Sequence, residues 1–137
     1  MHKLLVLDTE TGGLDPSACS LLSIGLVVWE AGLLGAEQEI FVLEPVLYLE
    51  PEAMAVNRIH ATKLQEVGIS PVAAVDALEG FLERHFSDGH PIAVSGHNVA
   101  FDVAFIRRMY KLAGRPNGPK FSHRLVDTAG ILKFLAL

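Results

Sequence analysis

Residues 3–8, Lys-Leu-Leu-Val-Leu-Asp, form an apolar run that ends in a carboxylate, and a second carboxylate, Glu10, follows two residues later. The run is short and is closed by turn formers, Thr11-Gly12-Gly13-Leu14-Asp15-Pro16. That length and that ending suit a strand buried on both faces of a sheet. Side chains two apart on a strand share a face, so Asp8 and Glu10 project together where the strand gives way to loop. Open α/β sheets gather their ligands at the carboxyl ends of strands. Two close, partly buried carboxylates repel, and a proton or a cation must compensate. Oxygen donors alone favour a hard ion such as magnesium or manganese. A lone Asp-x-Glu does not decide the matter, because Asp8 capping a turn beside a solvated Glu10 would read the same.

The rest of the chain supplies an α/β pattern. Leu21 to Trp29 reads as a second strand, and Glu37 to Leu43 alternates like a third. Pro51 to His60 opens with proline at a first helical position. Ser70-Pro71 starts a helix to about Phe86, with Val72, Val75, Leu78, Leu82 and Phe86 at helical spacing. Ile92 to Ser95 is a short buried strand. A helix from Asn98 to about Ala113 follows, then a loop, a strand hint at Leu125-Val126 and a final helical pattern. This order predicts one domain over 1–137, a mixed β-sheet flanked by helices on both faces.

A third carboxylate belongs with the first two. On the helix after Asn98, Asp102 shares a stripe with Phe105, Ile106 and Met109, the stripe that should face the sheet. A carboxylate on an apolar face is costly unless paired or bound to metal. Its place in the first turn also complements the helix dipole, a purely structural role.

Composition narrows the alternatives. The net charge is −5, from 11 Lys and Arg against 16 Asp and Glu, which argues against a broad grip on long duplex nucleic acid. An enzyme that takes only a strand end escapes that objection, since bound cations supply positive charge locally. The single cysteine, Cys19, rules out an internal disulfide and a cysteine-rich zinc site. No apolar run reaches 18 residues, so no membrane span is expected, and a cytoplasmic location is expected. The first strand is not followed by Gly-x-Gly-x-x-Gly, which removes a dinucleotide fold.

Two strings, Val6-Leu7-Asp8-Thr9-Glu10-Thr11-Gly12-Gly13 and His97-Asn98-x-x-Phe101-Asp102, resemble the first two motifs of the DEDD superfamily of DnaQ-like 3′→5′ exonucleases. That superfamily includes the proofreading subunit of bacterial DNA polymerase III, ribonuclease T and oligoribonuclease. The connector Glu44-Pro45 and Pro51 to His60 is similar to that of ribonuclease T, and Asp127-Thr128 resembles the strand-ending Asp-Thr of the same enzymes. The resemblance implies a ribonuclease H-like fold and a metal-dependent phosphodiester hydrolase that releases nucleoside monophosphates from free 3′ ends of single-stranded DNA or RNA. It implies two Mg2+ or Mn2+ ions per site, about 4 Å apart as in other two-metal sites. By carry-over Asp8 binds both ions, Glu10 the one carrying the nucleophile and Asp102 the other. Backbone groups near Thr9 and Thr11, with the side chain of Leu14, are expected to hold the terminal nucleotide. Phe101 is expected to stack there or to pack in the core. His60 is expected on a loop near substrate, and Asn98 to cap its helix and orient Asp102. His123 and Asp127 mimic a catalytic pair, but their spacing differs from the family's third motif, and Asp127 is read as structural.

The resemblance further implies a fourth aspartate and a His or Tyr general base on a helix downstream of Asp127. The last stretch, Ala129 to Leu137, reads AGILKFLAL and carries no stop signal. The chain is therefore expected to be truncated before its C-terminal helix, with the apolar face covered by a following segment or, in a homodimer, by a second copy. A DNA polymerase is a further expected partner. The competing expectation is a weak or inactive nucleic-acid-binding or interaction module on the same fold.

Overall fold

A computed structural model of the chain describes residues 3–56 and 61–136. Three strands come first, β1 (Lys3–Thr11), β2 (Leu21–Glu30) and β3 (Leu33–Phe41). Three helices follow, α1 (Pro51–Val56), α2 (Ala61–Val67) and α3 (Pro71–His85). The remainder alternates as β4 (Ile92–Gly96), α4 (Val99–Leu112), β5 (Phe121–Asp127) and α5 (Thr128–Leu135).

The strands form one mixed sheet in the order β3-β2-β1-β4-β5. β1 pairs antiparallel with β2, and β2 with β3, while β1–β4 and β4–β5 are parallel. The antiparallel half is joined by a two-residue turn in which Ala31 (φ 53°) and Gly32 (φ 82°) both take positive φ. That geometry matches the twist of a tight hairpin. The third strand therefore begins at Leu33, four residues before the first residue that alternation marks. β1, β4 and β5 run in one direction, so Glu10, Gly96 and Asp127 stand at the same end of the sheet.

One face of the sheet carries the core. Leu5, Leu7, Ile24, Leu26, Val28 and Val94 are buried against α3 and α4, which contribute Val75, Leu78, Phe81, Phe105, Ile106 and Met109. α3 starts where the Ser-Pro signal puts it: the Ser70 hydroxyl accepts from the Ala73 amide at 3.2 Å, and Pro71 occupies the first turn. At Gly96, the last residue of β4, a Cβ would lie 2.6 Å from the Leu7 carbonyl oxygen, so β4 approaches β1 closely there only with glycine.

Candidate metal and nucleotide site

Alternation along β1 sorts its last residues. Leu7 and Thr9 are buried on the core side, Asp8 is exposed on the other, and Glu10 is half-buried. Asp8 is opposite Gly25 on β2, and Gly25 is opposite Glu39 on β3, so a glycine separates two acids along that row.

α4 brings the third carboxylate. Asp102 lies in its first turn and is 3% exposed. One of its oxygens, Oδ1, accepts both from the Thr9 amide at 3.0 Å and from the Thr9 hydroxyl at 2.5 Å. Thr9 therefore holds Asp102 against the strand that carries Asp8 and Glu10. Burial raises the Asp102 carboxyl above the usual range, the Thr9 hydroxyl pulls it back, and the negative charge of Asp8 raises it again. Glu10 is likewise raised, first by burial and then by Asp8, Asp102 and Glu39. Glu10 and Asp102 thus both feel the negative charge of Asp8.

They do not form a closed ligand set. Among the described residues, no three His, Cys, Asp or Glu side chains converge as a ready metal site. The fit to a cation rests on donor chemistry and charge: hard oxygen donors, and repulsion that a bound cation would relieve.

Beside Glu10 opens a cleft of about 380 Å³, lined by Thr9, Glu10, Thr11, Gly13, Leu14, Glu50, Glu52, Ala53 and Phe101. Leu14 is 79% exposed at its rim. Phe101 lines the cleft and also packs on Phe105, with ring centroids 4.9 Å apart. The loop of Leu14 is fixed by its backbone: Gly12 donates to Ser20 at 2.8 Å and accepts from Glu50 at 2.6 Å, and the Thr11 hydroxyl donates to the Gly13 carbonyl at 2.7 Å. Buried Cys19 lies behind Gly13, its thiol 3.3 Å from Glu50 Oε1 and pushed up chiefly by burial, in keeping with an inert thiol.

Asn98 departs from the expected cap. It precedes α4 with φ 57° and ψ 47°, and its side chain makes no capping hydrogen bond. The cap comes from Asp127. Its carboxylate accepts from the amides of Asn98 (2.9 Å), Val99 (3.1 Å) and Ala129 (2.9 Å). Asn98 serves through its tolerance of the left-handed backbone, which turns β4 into α4. Asp127 is thus structural, as the sequence indicates, and His123 is exposed. His60 lies outside the described residues.

Sequence reasoning missed the role of Thr9 toward Asp102, and it missed Glu50, Glu52 and Glu44. Thr9 holds Asp102; its position between the two acids of the motif, facing the core, is the signal that was available. Glu50 and Glu52 line the cleft, and nothing local marks them. Glu44, 3% exposed, forms an ion pair with Arg108, whose Nη2 and Nε reach its two oxygens at 2.8 and 2.9 Å. Arg108 also donates to the Pro16 carbonyl at 3.2 Å, tying α4 to the loop of Leu14.

This fold and this site define a ribonuclease H-like domain with a carboxylate cluster beside a nucleotide-sized cleft. No family model matches the sequence. Ribonuclease T of Shewanella sp. strain ANA-3 is 31% identical over 140 residues, covering 91% of this chain and 60% of that protein. Ribonuclease T of Shewanella baltica strain OS155 is 30% identical with the same coverage. The chain thus spans about 60% of the length of these relatives. In fold it is similar to E. coli exonuclease I. The zinc-bound single-stranded DNA complex gives a TM-score of 0.77 at 14% identity over 99% of this chain and 30% of that one. The complex with a dT13 oligonucleotide gives 0.75 at 16% identity, with the same coverage. The chain is thus similar in sequence to ribonuclease T and in fold to exonuclease I.

Proposed function

We propose that this domain hydrolyses single-stranded nucleic acid from a free 3′ end and releases nucleoside monophosphates. The observation that carries this reading is Glu10 on the wall of a cleft flanked by Leu14 and Phe101, with Asp8 and Asp102 near enough to raise its carboxyl. Asp8, Glu10 and Asp102 would hold divalent ions, Mg2+ or Mn2+, two per site. When bound, such ions activate water and neutralise charge on the leaving oxygen. Thr9 keeps Asp102 oriented. Leu14 and Phe101 present apolar surface to the terminal base and sugar, and the tight Gly12-Gly13 backbone fixes the cleft's outer wall. A base must leave its stack to enter, which favours single-stranded ends.

The test follows a labelled single strand and a closed circle of the same sequence in magnesium. Mononucleotides should appear from the linear strand alone, and Asp8→Ala should abolish them with circular dichroism unchanged. Nicking of the circle would overturn the reading.

A further inference from the structure

Behind the cleft, along the outer side of α4, lies a second cavity of about 460 Å³. Pro16, Ser17, Ala104, Arg107, Arg108 and Lys111 line it, with three cations and no carboxylate among all its lining residues. In a chain of net charge −5 that is a local reversal. It also opposes the cleft, which is lined by Glu10, Glu50 and Glu52 and by no cation. The two cavities adjoin: Leu14 and Pro16 are two residues apart on one loop, and Phe101 and Ala104 are one turn apart on α4. From Phe101 to Lys111 the helix advances about 15 Å at about 1.5 Å per residue.

The cations are not equivalent. Arg108 is committed to Glu44 and to the Pro16 carbonyl. Arg107 and Lys111 are exposed, and neither takes part in the ion pairs among the described residues. Lys111 stands in the last turn, where a cation complements the helix dipole. Arg107, a turn earlier, is not explained that way.

From this charge reversal we propose that the strand leaves the cleft along α4, its backbone phosphates running over Ala104 onto Arg107 and Lys111. The proposal rests on the nuclease reading and deepens it. The acids around the cleft repel a polyanion unless metal is bound, so the grip on the strand must lie further along it. Arg107 offers a planar fork suited to a phosphate, and Lys111 a point charge.

The test measures anisotropy of a labelled single-stranded oligonucleotide with EDTA over a range of salt, for the intact chain and for the Arg107→Ala/Lys111→Ala double variant. Lys120→Ala, a cation in the cavity at the opposite end of β4, controls for net charge. Hydrolysis of a dinucleotide, which occupies the cleft alone, is followed in parallel in magnesium. The double variant should bind the oligonucleotide more weakly, with the slope of log K on log salt smaller by about 1.4, two contacts at about 0.7 each. Its dinucleotide turnover and melting temperature should equal those of the unaltered chain, and Lys120→Ala should keep the full slope. Equal slopes in all three proteins, or equal losses in both variants, would overturn the strand path even where the dinucleotide is cut. Loss of binding in the double variant with no dinucleotide hydrolysis by any protein would sustain the path and reject cleavage by residues 1–137 on their own.

Discussion

Both donors of Thr9, its amide and its hydroxyl, converge on a single oxygen of Asp102, so a β-strand residue holds a helix carboxylate in place. Hydrogen bonds to a charged group contribute roughly 1.5–3 kcal/mol each. Thr9→Val keeps the shape and removes the hydroxyl. It is expected to weaken manganese binding about tenfold, in line with the loss of a group that orients a metal ligand, while Thr9→Ser retains it. Isothermal titration with manganese distinguishes the three proteins, and equal affinities would remove the orienting role of Thr9.

Mutual repulsion among Asp8, Glu10 and Asp102 makes a further expectation. Magnesium or manganese should raise the melting temperature of the chain in proportion to RT ln(1 + [L]/Kd). Asp102→Asn should abolish that gain, yet melt no lower than the parent in EDTA, since a neutral group replaces a buried, repelled charge. A metal-dependent gain of the same size in the variant would separate Asp102 from the ions.

Asp127 predicts an acid-side dependence. The Asn98 amide foremost, together with those of Ala129 and Val99, holds its carboxyl below the usual range. A depressed folded-state value means stability that is present above the unfolded value, near 4, and lost as pH falls through the folded one. Asp127→Asn should therefore lower the melting temperature at pH 7 and flatten its decline below pH 4. Parallel melting curves for the two proteins across that range would contradict the capping role.

The Arg108–Glu44 pair should behave as a structural clamp. Removing one partner of a buried pair typically costs about 3–5 kcal/mol, because the other charge is left without compensation. Arg108→Ala is expected to lose about 3 kcal/mol in urea unfolding, and Arg108→Met/Glu44→Leu together far less. Equal losses in the single and double variants would argue against an uncompensated charge as the cause.

The order of elements was legible because each carries its own local signal. The run Lys3–Asp8 ends in turn formers, Ser70-Pro71 marks a helix start, and the stripe Phe105, Ile106, Met109 faces the sheet as spacing requires. α2 was not legible: Ala61–Val67 is short, and of its described side chains only Leu64 is fully buried. The site divided the same way. Asp8 and Glu10 share a strand and Asp102 a predictable helix face, so local periodicity gives the side each one takes on its own element. The true cap of α4 is 29 residues from Asn98, and the partner of Arg108 is 64 residues away. Such pairings depend on where the sheet puts separate strands, which no local window encodes.

The backbone clamp around Gly12 and Gly13 has a bearing on how such domains diversify. At Gly13 a Cβ would fall within 2.6 Å of the Glu50 side chain, and at Gly12 it would run into Leu49. Those two positions are closed to substitution, whereas Leu14, the next residue, stands outward with nothing of the framework depending on its shape. Variation is thereby channelled to one side chain at the cleft's rim. Descendants of this sequence can alter what the rim presents to a strand end without disturbing where the rim stands.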